Sequence, residues 1–363
     1  MPRRVIISGG GTGGHIFPAV SIGSEIRRRD PDAEILFVGA KGGMELEVVP
    51  RYDFPIEAVW ISGIHRQLTF RNFRRNLLFP LKLMVSLVQS NRIISQFNPQ
   101  VVVGVGGYAS GPLGRVAAAR GIPLVICEQN AFPGLTNRWL ASKASRILLG
   151  NEAAGKYFPG DKIKLTGNPI RSFPTMDKQE AAQAMGIELG KPTVLSLGGS
   201  LGALTLNEAW MQNIRSLIDS GVQLIWQCGK RYYDELKDQV PKHPNVKLVP
   251  FIRNMAAAYT VADLVVSRAG GSTISELIAL SKPSIMVPSP NVAEDHQTKN
   301  ALSLSDRNAA ILVKDVVARE TLVKEMLTIM QNPQRLMSLQ QGIDAIQKHD
   351  AAKEIVDELY TFM

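Results

Sequence analysis

Short apolar runs recur along the chain, separated by segments long enough for helices. In the first half the runs predict strands at residues 4–8, 34–38, 101–105, 123–127 and 146–149. In the second half they predict strands at 193–197, 223–227, 246–249, 263–267 and 284–287. Unbroken apolar strands separated by helix-length segments imply parallel sheets covered by helices on both faces. The pattern echoes itself: Val5-Ile6-Ile7-Ser8-Gly9-Gly10 resembles Val194-Leu195-Ser196-Leu197-Gly198-Gly199, each a strand running into a glycine-rich turn. Two such units fit within 363 residues. Pro159-Gly160 and Gly167-Asn168-Pro169 punctuate the chain where a boundary between them is expected.

Composition narrows the class. Apolar residues make up 45% and charged residues 20%, as in a folded globular protein. Cys127 and Cys228 are far apart and in no metal-ligand spacing, which points to a reducing compartment and away from a zinc or disulfide framework. The first strand begins so early that no secretory signal is expected. No apolar stretch approaches the roughly 18 residues of a membrane span; the longest, Leu77 to Val88, is broken by Pro80 and Lys82.

The net charge of +9 is unevenly spread. From Ala58 to Cys127 there is no acidic residue, while Arg66, Arg71, Arg74, Arg75, Lys82, Arg92, Arg115 and Arg120 all fall there. A solvated basic face is one reading. The interleaving of Leu68, Phe70, Phe73, Leu77, Leu78 and Phe79 with these cations gives another: the stretch 66–82 rests on an anionic membrane surface. No nucleic-acid motif accompanies the charge, so no nucleic-acid partner is expected.

The candidate chemistry sits in glycine-rich turns. The first, Gly9 to Gly14, has five glycines in six positions and is followed by His15, the side chain best suited to move a proton near neutral pH. At a helix start such a turn is an anion site. Its Gly-x-Gly-x-x-Gly spelling fits a dinucleotide fingerprint, but the second strand ends Phe37-Val38-Gly39-Ala40-Lys41 without the acid that would hold a ribose. No Gly-x-x-x-x-Gly-Lys-Ser/Thr run supports a P-loop. Further turns are Gly104 to Pro112, Gly198 to Ala203 and Ser267 to Glu276. In the last, Ser272 and Thr273 open a helix whose dipole favours a diphosphate, and Glu276 is placed to accept hydrogen bonds from ribose hydroxyls. Helix capping would explain these polar residues but not the paired glycines before them. Asp30-Pro31-Asp32 has the spelling of a metal-binding D-x-D, yet its setting reads as an ordinary turn. No metal site and no cofactor are expected.

Gly10-Gly11-Thr12-Gly13-Gly14-His15-Ile16-Phe17-Pro18-Ala19 resembles the N-terminal signature of the MurG family. That family transfers N-acetylglucosamine from UDP-N-acetylglucosamine to lipid I, giving lipid II of bacterial peptidoglycan. The likeness continues through Gly106-Gly107-Tyr108, Glu128-Gln129-Asn130, Gly134-Leu135-Thr136-Asn137, Gly167-Asn168-Pro169-Ile170-Arg171, Gly198 to Ala203, and Arg268 to Glu276. It implies an α/β protein of glycosyltransferase B fold, with two Rossmann-like domains facing across a cleft. Residues 1–165 would bind acceptor and membrane, with a closing helix, 344–361, packed back on them; residues 166–343 would bind the UDP-sugar. The enzyme would work at the cytoplasmic face of the cell membrane, peripherally, inverting the anomeric carbon without a metal.

Residue by residue, the resemblance places Thr12, Gly13, Gly14 and Asn130 on the donor sugar, and Arg171 and Ser200 near its diphosphate. Ile252 would meet uracil through its backbone. Gly271, Ser272 and Thr273 would lie along the diphosphate, Glu276 on the ribose and Gln297 on sugar hydroxyls. The acceptor's diphosphate would sit on Gly10, Gly11, Gly106, Gly107 and Tyr108. His15 is the first candidate for the base and Glu128 the second. The family often has a bulkier apolar residue at Ser272 and a second glutamine at Thr298, so fine contacts there are open. A glycosyltransferase acting on diacylglycerol, a UDP-N-acetylglucosamine epimerase of the same fold, and a non-catalytic nucleotide-sugar sensor are the competing expectations.

Overall fold

The computed structural model describes residues 2–63, 77–171, 173–199 and 201–363. The stretch 66–76, which carries four of the arginines noted above, and Ser200 lie outside the described residues. The chain divides into two compact units. The first holds the residues up to Arg171 together with His349–Met363, and the second holds the residues between.

The first unit is built on a seven-stranded sheet, in the order β3-β2-β1-β4-β5-β6-β7, with every pair parallel. Its strands are β1 (Arg4–Ser8), β2 (Glu34–Ala40), β3 (Ile56–Val59), β4 (Val101–Gly104), β5 (Leu124–Glu128), β6 (Arg146–Leu149) and β7 (Ile163–Leu165). Alternation along β1 sends Val5 and Ile7 into one core with the helix Gly13–Arg29, and Ile6 into the other with Leu113 and Ile94. Both faces of the strand are therefore dry, which explains why it reads as an unbroken apolar run.

The second unit repeats the plan with six parallel strands in the order β10-β9-β8-β11-β12-β13. These are β8 (Thr193–Leu197), β9 (Gln223–Gln227), β10 (Val246–Val249), β11 (Leu264–Ser267), β12 (Ser284–Met286) and β13 (Ala310–Leu312). Val194 and Val266 face one core, Leu195 and Val265 the other.

All ten strands expected from the apolar runs are present, with ends that move by a residue or two. Asp263, expected in a strand, instead uses its carboxylate to accept the Thr193 N–H at 2.8 Å. The three further strands, β3, β7 and β13, are short and lie at sheet edges or, for β7, end the sheet. Edge strands are partly wet, so Ile56-Glu57-Ala58-Val59 and Ile163-Lys164-Leu165 lack an apolar run.

The closing helix is shorter than the 344–361 that the resemblance implied. The helix Pro333–Asp344 belongs to the second unit, and the last helix starts only at Ala351, capped by the Asp350 side chain, and ends at Tyr360. Ile355, Val356 and Leu359 enter the core beside Ile22 and Ile26. Arg29 Nη1 reaches Asp357 Oδ1 at 2.6 Å, and Glu358 meets Lys164 at 2.6 Å and Arg146 at 3.0 Å. The division between units falls at Arg171 rather than at 165. The reason is local: Asn168 Nδ2 donates to Gln129 O at 2.9 Å, holding this stretch to the end of the first sheet.

Candidate functional site

In an open parallel sheet the connections on either side of the first strand leave in opposite directions, opening a crevice at its carboxyl end. β1 pairs with both β2 and β4, so the turns after β1 and β4 lie side by side. Gly10 N donates to Gly106 O at 3.3 Å and Val105 N to Ser8 O at 2.7 Å. Ser110 Oγ lies 2.9 Å from both Ser8 O and Gly106 O. A Cβ on Gly107, whose φ is +90°, would come within 2.5 Å of Gly10 O, so glycine is required by this close approach.

His15 opens the helix Gly13–Arg29 and is half-buried. Its Nδ1 lies 3.0 Å from Gly10 O and 3.4 Å from Thr12 Oγ1. A carbonyl oxygen only accepts, so in the neutral imidazole Nδ1 carries the proton and Nε2 the lone pair. Nε2 lies over Gly106, where an added Cβ would come within 2.8 Å of it. The geometry thus presents an oriented imidazole in the crevice between the two turns.

Glu128, the second base candidate, is placed differently. It is buried at the end of β5, and its Oε1 accepts Asn130 N at 3.0 Å and Asn130 Nδ2 at 3.2 Å. Its Oε2 accepts Gly134 N at 3.1 Å and Asn137 Nδ2 at 2.8 Å. Four N–H donors occupy its two oxygens, so this carboxylate braces the segment 129–137. Asn130 is oriented by the same bonds.

The acceptor-diphosphate assignment also changes. Gly10 N is engaged by Gly106 O, and Gly11 N donates to Glu45 Oε2 at 2.9 Å. Neither amide is turned to an incoming anion. Glu45 belongs to no motif in the sequence; it comes five residues after the end of β2. Gly13 and Gly14 are first-turn amides with no intrahelical acceptor. Gly106 and Gly107, with φ of +96° and +90°, shape the facing turn. Half-exposed Tyr108 lies against Gly63, and Arg171 is exposed at the end of the unit.

In the second unit the equivalent crevice lies between β8 and β11. The helix Gly271–Ala279 starts at N-cap Gly270, and no side chain caps it. Capping therefore does not account for Ser272 and Thr273, and no side chain covers the first-turn amides. The Ser272 hydroxyl is shielded from solvent with no partner among the described residues. Glu276 Oε2 accepts the Tyr259 hydroxyl at 2.7 Å, and Tyr259 is held edge-on to Phe173. Tyr259 carried no sequence signal, since it sits in an alanine-rich helix. Gln297 Oε1 accepts Ser289 N at 2.8 Å, directing its NH2 as the group to meet a hydroxyl. The Ile252 side chain is in the core, so only its backbone is available to a ligand. Arg268 is not available to a diphosphate in the same way: Nη1 pairs with Asp315 and donates to Val287 O at 3.0 Å.

Neither cysteine offers thiolate chemistry, since burial pushes Cys127 up to about 12 and Cys228 up to about 11. Asp30 pairs with Arg3 at 2.7 Å in its turn.

Against known proteins, residues 5–149 match the glycosyltransferase family 28 N-terminal domain and residues 193–358 match the family 28 C-terminal domain. The chain is 46% identical over 362 residues to the UDP-N-acetylglucosamine–N-acetylmuramyl-(pentapeptide) pyrophosphoryl-undecaprenol N-acetylglucosamine transferase of Cytophaga hutchinsonii, covering 99% of this chain and 96% of that one. It is 48% identical to the transferase of the same name from Bacteroides fragilis, covering 98% and 94%. Among solved structures, Acinetobacter baumannii MurG superposes with a TM-score of 0.79 at 26% identity, covering 99% of this chain and all of that one. A UDP-N-acetylglucosamine 2-epimerase shares the fold, with a TM-score of 0.63 at 12% identity over 99% of this chain and 98% of its own.

The Glu128 network makes a stability prediction. Glu128→Ala leaves buried N–H groups without an acceptor and should cost about 3 kcal/mol. Urea unfolding followed by tryptophan fluorescence measures it; a loss below about 1 kcal/mol would show that the loop does not depend on this carboxylate.

Proposed function

We propose, from the premise that this chain belongs to glycosyltransferase family 28, that it transfers N-acetylglucosamine from UDP-N-acetylglucosamine to the 4-hydroxyl of the muramoyl sugar of lipid I, forming lipid II for peptidoglycan. The observation that carries this reading is identity of 44–48% with transferases of that name over nearly the whole chain. The fold alone is shared with an epimerase and would not separate the two.

The second unit binds the donor. The unpaired amides at the start of Gly271–Ala279, with Ser272 and Thr273, face the UDP diphosphate, and Glu276, steered by Tyr259, holds the ribose. By resemblance Ser200 and Arg171 add to the diphosphate site, and Gln297 reads sugar hydroxyls. The first unit binds the acceptor. Its 4-hydroxyl gives its proton to His15 Nε2 as its oxygen attacks the anomeric carbon; the C1–O bond to the diphosphate breaks, and the configuration inverts. The leaving charge falls on a helix N-terminus and hydroxyl donors, so the reaction runs without a metal.

The acceptor is lipid-linked, and the first unit has a face that suits a bilayer surface. On the helix Phe79–Phe97, Leu81, Met84 and Val88 are 50%, 66% and 71% exposed, continuing from Leu77 at 70%. Their spacing puts them on one side, opposite buried Ser86, Ser90, Ile93 and Ile94, with exposed Arg92 one turn on. An exposed apolar stripe followed by a cation fits a peripheral contact with anionic lipid at the cytoplasmic face. Among the described residues, no helix is long and apolar enough to cross a membrane.

Two measurements test these roles. His15→Ala should lower kcat with a lipid I analogue by roughly 10²- to 10⁴-fold while leaving the KM for UDP-N-acetylglucosamine nearly unchanged. Unchanged turnover would remove His15 as the base. Replacing Leu81, Met84 and Val88 together by Ser should abolish co-flotation with anionic phosphatidylglycerol vesicles while leaving turnover of a short-chain, detergent-soluble acceptor intact; undiminished flotation would place the membrane contact elsewhere.

A further inference from the structure

Glu45 is the most deeply buried acidic side chain among the described residues, with no solvent exposure. It belongs to the short helix Glu45–Val48 that follows β2, and its carboxylate folds back to the strand end. Oε1 accepts Ala40 N at 2.8 Å and Oε2 accepts Gly11 N at 2.9 Å. Three glycines make room for it. A Cβ on Gly10 would lie 2.2 Å from Oε1, one on Gly43 2.4 Å from Oε1, and one on Gly39 2.5 Å from Cγ. A buried anion is costly unless hydrogen-bonded, so the carboxylate and the amides it accepts from hold one another in place.

Gly10 is thereby wedged between the Glu45 carboxylate and Gly107. Its carbonyl is the group that lies 3.0 Å from His15 Nδ1 and sets the tautomer. A movement of Gly10 would turn the imidazole away from Gly106 and misplace Nε2.

We infer that Glu45 is a positioning residue for the transfer reaction: it locks the first glycine-rich turn so that Gly10 O aims His15. This rests on the reading of His15 as proton acceptor. The role differs from a purely structural one because it acts on the orientation of one ring and on one substrate.

The test uses the full chain with UDP-N-acetylglucosamine and a lipid I analogue. Glu45→Gln keeps the volume but sets an NH2 group against a backbone N–H. It should lower kcat roughly ten- to a hundredfold. The KM for UDP-N-acetylglucosamine should stay within about twofold, and the acidic limb of the kcat–pH profile should shift. Gly39→Ala crowds Glu45 Cγ without altering the turn itself and should give the same split, so it carries the test if Glu45→Gln does not fold. Turnover equal to the unaltered enzyme, or a loss of donor affinity in step with kcat, overturns the role of Glu45. Absence of turnover by the unaltered enzyme, or full turnover by His15→Ala, would instead overturn the reading of the site.

Discussion

The interior place of β1, paired on both sides, is the constraint on which the rest of the first unit depends. Because β1 pairs in parallel with both β2 and β4, two glycine-rich turns emerge at one end within hydrogen-bonding distance. The second unit repeats this with β8 between β9 and β11. Parallel pairing requires helical crossovers, and the crossovers bury both faces of these strands. The same feature that makes the strands read as apolar runs therefore also creates the crevices where chemistry can be placed.

The two crevices are chemically different despite their common plan. In the second unit an uncapped helix N-terminus offers amides and hydroxyls, which suits a diphosphate. In the first, the amides of Gly10 and Gly11 are already engaged, one by a carbonyl and the other by a buried carboxylate. What remains there is an oriented imidazole. A transferase needs such a division, with charge stabilised at the leaving group and a proton accepted at the nucleophile.

Much of this was legible in the residues. Buried strands announced themselves as apolar runs, and each glycine-rich turn marked the carboxyl end of one. His15 was visible because it ends such a turn. The wet edge strands β3 and β7 escaped, since they lack an apolar run. Glu45 escaped for another reason: its partners Ala40 and Gly11 are joined to it only by the pairing of β1 with β2, a long-range fact. Glu128 stood as the second candidate base, a carboxylate being able to accept a proton. Its four donors come from the loop folding back on it, which no spacing rule anticipates. Tyr259 and its bond to Glu276 were hidden for the same cause, since the two side chains stand on different helices.

The proposed transfer is a direct attack by a sugar hydroxyl on the anomeric carbon of an α-linked nucleotide sugar. Carbon-13-labelled UDP-N-acetylglucosamine, incubated with the enzyme and a lipid I analogue in chelator-containing buffer, reports this through the anomeric coupling in the NMR spectrum of the product. A β-linked disaccharide on the lipid diphosphate is expected. An α-linked disaccharide, an epimerised nucleotide sugar, or label transferred only when a divalent metal is restored would contradict it.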